Sequence, residues 1–377
     1  MKLEHYISVG GKKLRCGYTT GTCAAGAARC AAEALLTGQF PAQIRVETPA
    51  GIPVALEPEE CRLGEGSASC GIRKDAGDDI DVTDGALIVA TVTRIPSGTE
   101  VDGGEGIGRV TRPGLDQPVG AAAINHVPRE MIASELRAAL EAHHASGGLR
   151  AVISAPQGEE LARKTFNPRL GIEGGFSILG TSGIVRPMSR DAIVETTRAE
   201  LSVLRAGGAE DVILSPGNYG ADFARDSLNL DIRSLSQCSN YIGEALDSCR
   251  ELGFRSVLLV GHIGKLCKLA AGVFDTHSRT ADGRREVFVT HAALSGGSRE
   301  LLEQLYACST TDACLPLLEE AGILQPTMDS MVRAIGENLR RRGGEVQAEA
   351  VVFSNARGVL GETEQAEELL KLHRIKD

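Results

Sequence analysis

Residues 256–265, SVLLVGHIGK, set the reading of the fold: a strongly apolar strand runs into a glycine-flanked polar turn and then a helical pattern. The same texture recurs on either side. Upstream stands DVILSPGNYG (211–220) with a helical segment after it, and downstream EAVVFSN (349–355) with ETEQAEELLKLH (362–373) after it. Nearer the N-terminus, LRAVISAP (149–156) precedes QGEELARKTF, and FSILGTSG (176–183) precedes SRDAIVETTRAELSVLRAGG. Strand-like and helix-like segments thus alternate from about residue 149 onward. That pattern predicts an α/β domain built on a mostly parallel, doubly wound sheet.

The preceding part reads differently. Residues 22–37, TCAAGAARCAAEALLT, predict an alanine-rich helix with Thr22 as N-cap and Gly38 as its stop. Its apolar positions Cys23, Ala27, Cys30, Ala31 and Leu35 follow helical spacing and are nearly all small, so this helix can approach a neighbour closely. Strand-like runs follow at QIRVET (43–48), IPVALE (52–57) and ALIVATVTRI (86–95). A Gly- and Arg-rich stretch, GGEGIGRVTRPG (103–114), leads to a second helix beginning near Pro128. The expected organisation is an α+β domain over residues 1–148 and an α/β domain over 149–377.

Composition narrows the function classes. With 377 residues, 42% hydrophobic and 24% charged, the chain can bury a sizeable core and is not disordered. Forty basic against fifty acidic side chains leave a net charge of −10, which disfavours a nucleic-acid binder. Aromatic residues are 3% and tryptophan is absent, so base-stacking platforms are scarce as well. No apolar run approaches the roughly 20 residues of a membrane span. The start, MKLEHYISVGGKKLRCG, lacks the apolar stretch of a signal peptide, so a cytoplasmic location with no membrane partner is expected. Ten cysteines are scattered with no Cys-x-x-Cys, which reads as small buried thiols, and no metal-ligand set is assigned.

The turns after the five proposed strands share a character: SAPQG (154–158), LGTSG (179–183), SPGNYG (215–220), GHIGK (261–265) and SNARG (354–358). Each joins glycine, which lets backbone N–H groups approach a ligand, to small polar side chains. In an open parallel sheet all five would line one rim beyond the strand carboxyl ends, where ligands bind. A strict G-x-G-x-x-G is absent, since Arg109 stands where its last glycine should fall. Walker A is absent too, because Leu266 follows Lys265 in place of Ser or Thr. Such loops can still cradle an adenosyl group or a carboxylate at a helix N-terminus. Gly180, Thr181, Gly217, Asn218 and Gly220 are the expected cofactor contacts.

Beside them, Lys265 is expected to pair with a ligand carboxylate, and His262 to act in hydrogen bonding or proton transfer unless it is simply a solvated loop residue. Thr19 and Thr20, with Thr22, precede the first helix, where they bind an anion or cap the helix. Arg109 and Arg112, with Arg163, Lys164 and Arg169, supply loop cations that together suit a polycarboxylate. Asp75, Asp78, Asp79, Asp81 and Asp84 read as a solvated acidic turn, because EF-hand spacing and its closing glutamate are missing. His277 and His291 are read as structural.

Several long motifs, in order, resemble one family: RCGYTTGTCAAGAARCAAEALLTG, DAGDDIDVTDG, GGEGIGRVTRPGL, AAINHVPREMI, KTFNPRLGIEGGFSILGTSGIVRPMS, SPGNYGADFA and LLVGHIGKLCKLAAGVFDTHS. The resemblance is to the cobalt-precorrin-5B (C1)-methyltransferases of anaerobic cobalamin biosynthesis, the CbiD family. It runs from about residue 14 to residue 290, with FSNARGVLG compatible. It implies S-adenosylmethionine as methyl donor and cobalt-precorrin-5B as acceptor, giving cobalt-precorrin-6A and S-adenosylhomocysteine. It also implies an N-terminal α+β domain and a Rossmann-like domain. Two rival readings stand beside it: a small-molecule kinase with a Gly/Thr-rich phosphate loop, and a non-catalytic tetrapyrrole carrier. The sequence leaves oligomeric state open, a homo-oligomer included.

Overall fold

The computed structural model describes residues 2–375 and divides the chain into two compact units, Met1–Arg190 and Asp191–Asp377. The boundary expected after residue 148 therefore moves, because the strand Gly148–Ser154 belongs to the first unit. It pairs antiparallel with Leu87–Ile95 and parallel with Gly98–Gly103. Leu149, Ala151 and Ile153 turn into the core while Arg150 is exposed. Such one-sided burial suits a sheet with one covered face, not the centre of a doubly wound one.

The first unit holds a five-stranded sheet in the order Glu59–Gly64, Ser67–Arg73, Leu87–Ile95, Gly148–Ser154, Gly98–Gly103. Against it lies the helix Thr20–Thr37, capped by Thr19 instead of Thr22: the Thr22 N–H donates to Thr19 Oγ1 at 3.2 Å. Gly38, left-handed at φ 82°, ends the helix as expected. Its small residues are buried nearly all round. A Cβ on Gly21 would lie 2.8 Å from Pro128 of the helix His126–Ala142, and one on Gly26 would lie 2.3 Å from Leu56. The smooth surface is what allows both approaches. Two expected elements shrink. QGEELARKTF yields only the short helix Gly158–Ala162, and FSILGTSG carries only the last residue of the strand Gly175–Phe176 and a single bridge from Ile178 to Ile124.

In the second unit, Leu235–Gln237, Asp211–Ser215, Ser256–His262 and Gln347–Ser354 run parallel in that order. Gly358–Glu362 closes the edge antiparallel. One face (Ile213, Leu258, Val260, Val351, Phe353) packs with Ala224 of the helix Asn218–Asp226 and Leu369 of the helix Ala366–His373. The other (Val212, Leu214, Val257, Leu259, Val352) packs with Leu201, Leu246 and Leu339 from the helices Arg190–Ala206, Ile242–Glu251 and Leu324–Gly343. Burial on both faces is why SVLLV is apolar without alternation. Eight of the ten cysteines are buried, and all ten are free thiols. No helix among the described residues is long and apolar enough to cross a membrane.

Candidate active site

In the second sheet, the strand that comes first in sequence, Asp211–Ser215, lies between the second, Leu235–Gln237, and the third, Ser256–His262. The connection after Asp211–Ser215 runs to Leu235–Gln237 on one side and that after Ser256–His262 to Gln347–Ser354 on the other, which opens a crevice outside the carboxyl ends of these two strands. Three of the five glycine-bearing turns, 215–220, 261–265 and 354–358, follow strands of this sheet. The other two, 154–158 and 179–183, are carried by the first unit. The five-turn rim is thus corrected to three, and Gly180 and Thr181 are not on it.

The turn 215–220 is built around two glycines with different duties. Gly217 is the N-cap of Asn218–Asp226 at φ 143°, a conformation that L side chains rarely adopt, and a Cβ there would meet open space. No side chain caps this helix. Its first N–H groups and the favourable end of its dipole therefore suit an anionic ligand group. Gly220 instead permits close packing: its Cβ would stand 2.3 Å from Ser215 Oγ and 2.5 Å from the Val260 carbonyl oxygen. Ser215 Oγ donates to the Gly217 carbonyl at 2.6 Å, and Asn218 Oδ1 accepts from Gln237 Nε2 at 3.0 Å.

Lys265 stands elsewhere than expected. Its ammonium donates to the carbonyl oxygens of Pro216 at 2.5 Å and Ser239 at 3.3 Å. Burial pulls its pKa below the ordinary lysine value. Lys265 thus ties the turn 215–220 to residues 238–241, the turn after the neighbouring strand. His262 also holds structure. Its Nδ1 accepts the Gly264 N–H at 3.1 Å, its ring meets Phe353 edge-on at 5.6 Å, and its Nε2 lies 3.5 Å from Asp312. Gln237 and Ser239 complete this rim and were not foreseen, since a three-residue strand leaves no readable periodicity.

In the first unit, the turn 179–183 covers the N-terminus of Thr20–Thr37. The Thr19 N–H donates to the Gly183 carbonyl at 3.0 Å and the Gly21 N–H to Leu179 at 3.2 Å. Thr20 Oγ1 accepts from the Leu179 N–H at 3.0 Å, and Thr22 Oγ1 donates to Gly183 at 2.7 Å. Gly180, at φ 129°, sits so near Thr19 that a Cβ would lie 2.5 Å from its side chain. Thr19 and Thr20 are buried, and their hydroxyls serve the cap and this turn.

Cations gather instead near Asp102. Arg109 donates to Asp102 at 2.9 Å and to the Gly103 carbonyl at 2.7 Å. Arg150 approaches Asp102 and Glu100, each at 3.9 Å. Arg129 Nη1 donates to the Val101 carbonyl, while its Nε is buried with no hydrogen-bond partner among the described residues. Burial holds the Arg129 pKa below its usual value, with Arg109 adding to the effect. Arg112 is exposed, its stem lying over Gly171. Arg129 and Arg150 were missed because the helix and strand that carry them gave no reason to single out either one.

The acidic turn is accounted for by protein donors. Asp75 takes two hydrogen bonds from Arg15 at 2.6 and 2.7 Å, Asp78 accepts the Arg15 N–H, Asp84 accepts the Ala76 N–H, and Asp81 pairs with the buried Lys74. Asp79 accepts the Met188 N–H. These carboxylates brace a loop, and the solvated-turn reading gives way to an ordered one.

Two family profiles match the chain: CbiD over residues 7–187, and CbiD, C-terminal domain, over residues 275–364. The chain belongs to the CbiD family. A relative from Ruminiclostridium cellulolyticum is 46% identical over 354 residues, covering 94% of this chain and 92% of its own. One from Alkaliphilus metalliredigens is 41% identical over 379 residues and covers 100% of both. One from Photorhabdus laumondii subsp. laumondii is 43% identical and covers 97% of both. Each is named cobalt-precorrin-5B C(1)-methyltransferase. The crystal structure of a cobalamin biosynthesis protein (cbiD) from Archaeoglobus fulgidus is 30% identical, covers 74% of this chain and 87% of its own, and has a TM-score of 0.41. The rim turns 215–220 and 261–265 fall between the two regions that the CbiD profiles match.

Proposed function

We propose that this chain transfers a methyl group from S-adenosylmethionine to C1 of cobalt-precorrin-5B, giving cobalt-precorrin-6A and S-adenosylhomocysteine in cobalamin biosynthesis. The observation that carries the reading is full-length similarity to relatives bearing that activity in their names, at 41–46% identity. The second unit is read as a Rossmann-like donor domain and the first as an α+β domain that recognises the acceptor.

The donor's carboxylate is assigned to the N-terminus of Asn218–Asp226, with Gly217, Asn218 and Gly220 forming the cradle. Lys265 and Gln237 act as positioning residues that hold this turn against its neighbours. Acceptor carboxylates are assigned to Arg109, Arg112, Arg129 and Arg150. A chain of net charge −10 offers a polyanion no help from its mean field, so its affinity must come from such short-range cations.

The sulfonium donor arrives activated. The carbon–sulfur bond breaks with its electron pair left on sulfur, as an electron pair of the macrocycle forms the new bond from C1 to the methyl carbon. The protein's task is to hold sulfur, methyl and carbon in line and to keep water out, since charge is lost at sulfur. His262, engaged as a cap through its Nδ1, orients the turn after its strand. Titration calorimetry with S-adenosylhomocysteine and with an ATP analogue tests the donor assignment. Binding of the first alone supports it; binding of the ATP analogue alone overturns it in favour of a kinase.

A further inference from the structure

Cys30 on the helix Thr20–Thr37, Cys61 on the strand Glu59–Gly64 and Cys70 on Ser67–Arg73 bring their sulfur atoms within 4.8 Å of one another. Cys61 and Cys70 face each other across the two strands, Sγ to Sγ at 3.7 Å. The register shifts between Glu59 and Arg62, where Glu60 adopts φ 49°. This bulge sets Cys61 opposite Cys70, where it also faces the helix. Cys30 and Cys70 are fully buried, and Cys61 is half-buried.

We infer that these three thiols form a binding site for one soft divalent cation of the zinc class, which staples the 59–73 hairpin to the central helix. A metal about 2.3 Å from each sulfur requires sulfurs roughly 3.8–4.0 Å apart, whether the site is tetrahedral or planar. The Cys61–Cys70 separation of 3.7 Å falls just short of that range, and no sulfur has to move by more than about an ångström. A thiolate-only donor set selects soft cations over magnesium or calcium. A divalent ion also leaves less uncompensated charge in this buried site than a monovalent one. A disulfide needs sulfurs about 2.05 Å apart and only two of them, so the third converging thiol would have no part in it.

The test uses the full-length reduced protein, titrated anaerobically with Cd(II) while ultraviolet sulfur-to-metal charge transfer is recorded, and then with Zn(II) in competition. One equivalent of Cd(II) should saturate the band, only a large excess of Zn(II) should diminish it, and one equivalent of Zn(II) should raise the thermal midpoint of the metal-free protein. Cys61→Ser should weaken Cd(II) binding by at least about 100-fold, more than the loss of a supporting residue around a metal site costs. Cys30→Ala should do the same, with far-ultraviolet circular dichroism confirming that both variants are folded. Cys308→Ser, in the other unit, should change nothing. A band that survives Cys61→Ser, or no band at one equivalent in folded protein, overturns the site. No rise in the thermal midpoint with one equivalent of Zn(II), in folded protein, overturns the zinc-class assignment. Loss of two thiols to mild oxidation in the wild type but not in Cys61→Ser, without any metal band, assigns a redox pair instead.

Discussion

The Lys265 ammonium lies 2.5 Å from the carbonyl oxygen of Pro216, one residue before the glycine that caps the helix Asn218–Asp226. Through this bond and its second, to Ser239, one cation fixes two turns at adjacent strand ends. The residue type suggested a contact with an anionic ligand; the geometry gives it a duty toward the protein's own backbone. Lys265→Met should therefore weaken S-adenosylhomocysteine binding about 10-fold or more, since a hydrogen bond from a charged donor contributes about 1.5–3 kcal/mol. Calorimetry measures this directly. Unchanged donor affinity with weakened corrinoid binding would return Lys265 to the acceptor.

Gly217 gives a second test of the same turn. Its φ of 143° is costly for any side chain, yet a Cβ meets no atom within 4 Å. Gly217→Ala therefore acts through the backbone, at about 1–3 kcal/mol. The expected outcome is a matching loss of S-adenosylhomocysteine affinity, with little change in corrinoid affinity. Wild-type affinity in a variant of wild-type stability would place the donor at another turn.

For the acceptor, the buried unpartnered Nε of Arg129 is the most telling group near Asp102. Arg129→Met keeps the bulk of the stem and removes the charge. It should raise the corrinoid KM about 10-fold or more, as expected for losing a charge-assisted contact, and leave donor affinity intact. Steady-state kinetics at saturating donor reads the difference. An unchanged KM would remove Arg129 from recognition.

Much of this was legible and some was not, for physical reasons. The all-apolar SVLLV announced a strand buried on both faces, and the small residues of 22–37 announced a helix packed closely. LRAVIS carried the signal that it belongs elsewhere, because its Leu149, Ala151 and Ile153 alternate with Arg150, Val152 and Ser154. That period marks one-sided burial, and it outweighs the alternation of element types that drew the strand into the second domain. Long-range partners were not legible. Nothing in GHIGK says that Lys265 bonds Pro216, and nothing in the spacing of residues 30, 61 and 70 says that their sulfurs meet.

The acidic turn makes a pH prediction. The Arg15 hydrogen bonds hold the Asp75 carboxyl below its ordinary value, despite some burial, with the Gly77 N–H helping. A depressed folded value means that the stability it lends is fully present above the unfolded pKa of about 3.9 and is lost as pH falls through the folded value. Asp75→Asn should lower the urea midpoint of the first unit at neutral pH, with the difference shrinking toward about pH 2. A difference that is constant across that range would show that charge at Asp75 is not what stabilises the loop.

The central claim is methyl transfer to a corrinoid precursor. Purified protein, S-adenosylmethionine and cobalt-precorrin-5B are incubated anaerobically without nucleoside triphosphate, and the corrinoid is analysed by mass spectrometry. The corrinoid should gain the mass of one methyl group, with S-adenosylhomocysteine formed in equal amount. An unchanged corrinoid mass with folded protein, or a gain that requires ATP, would contradict it.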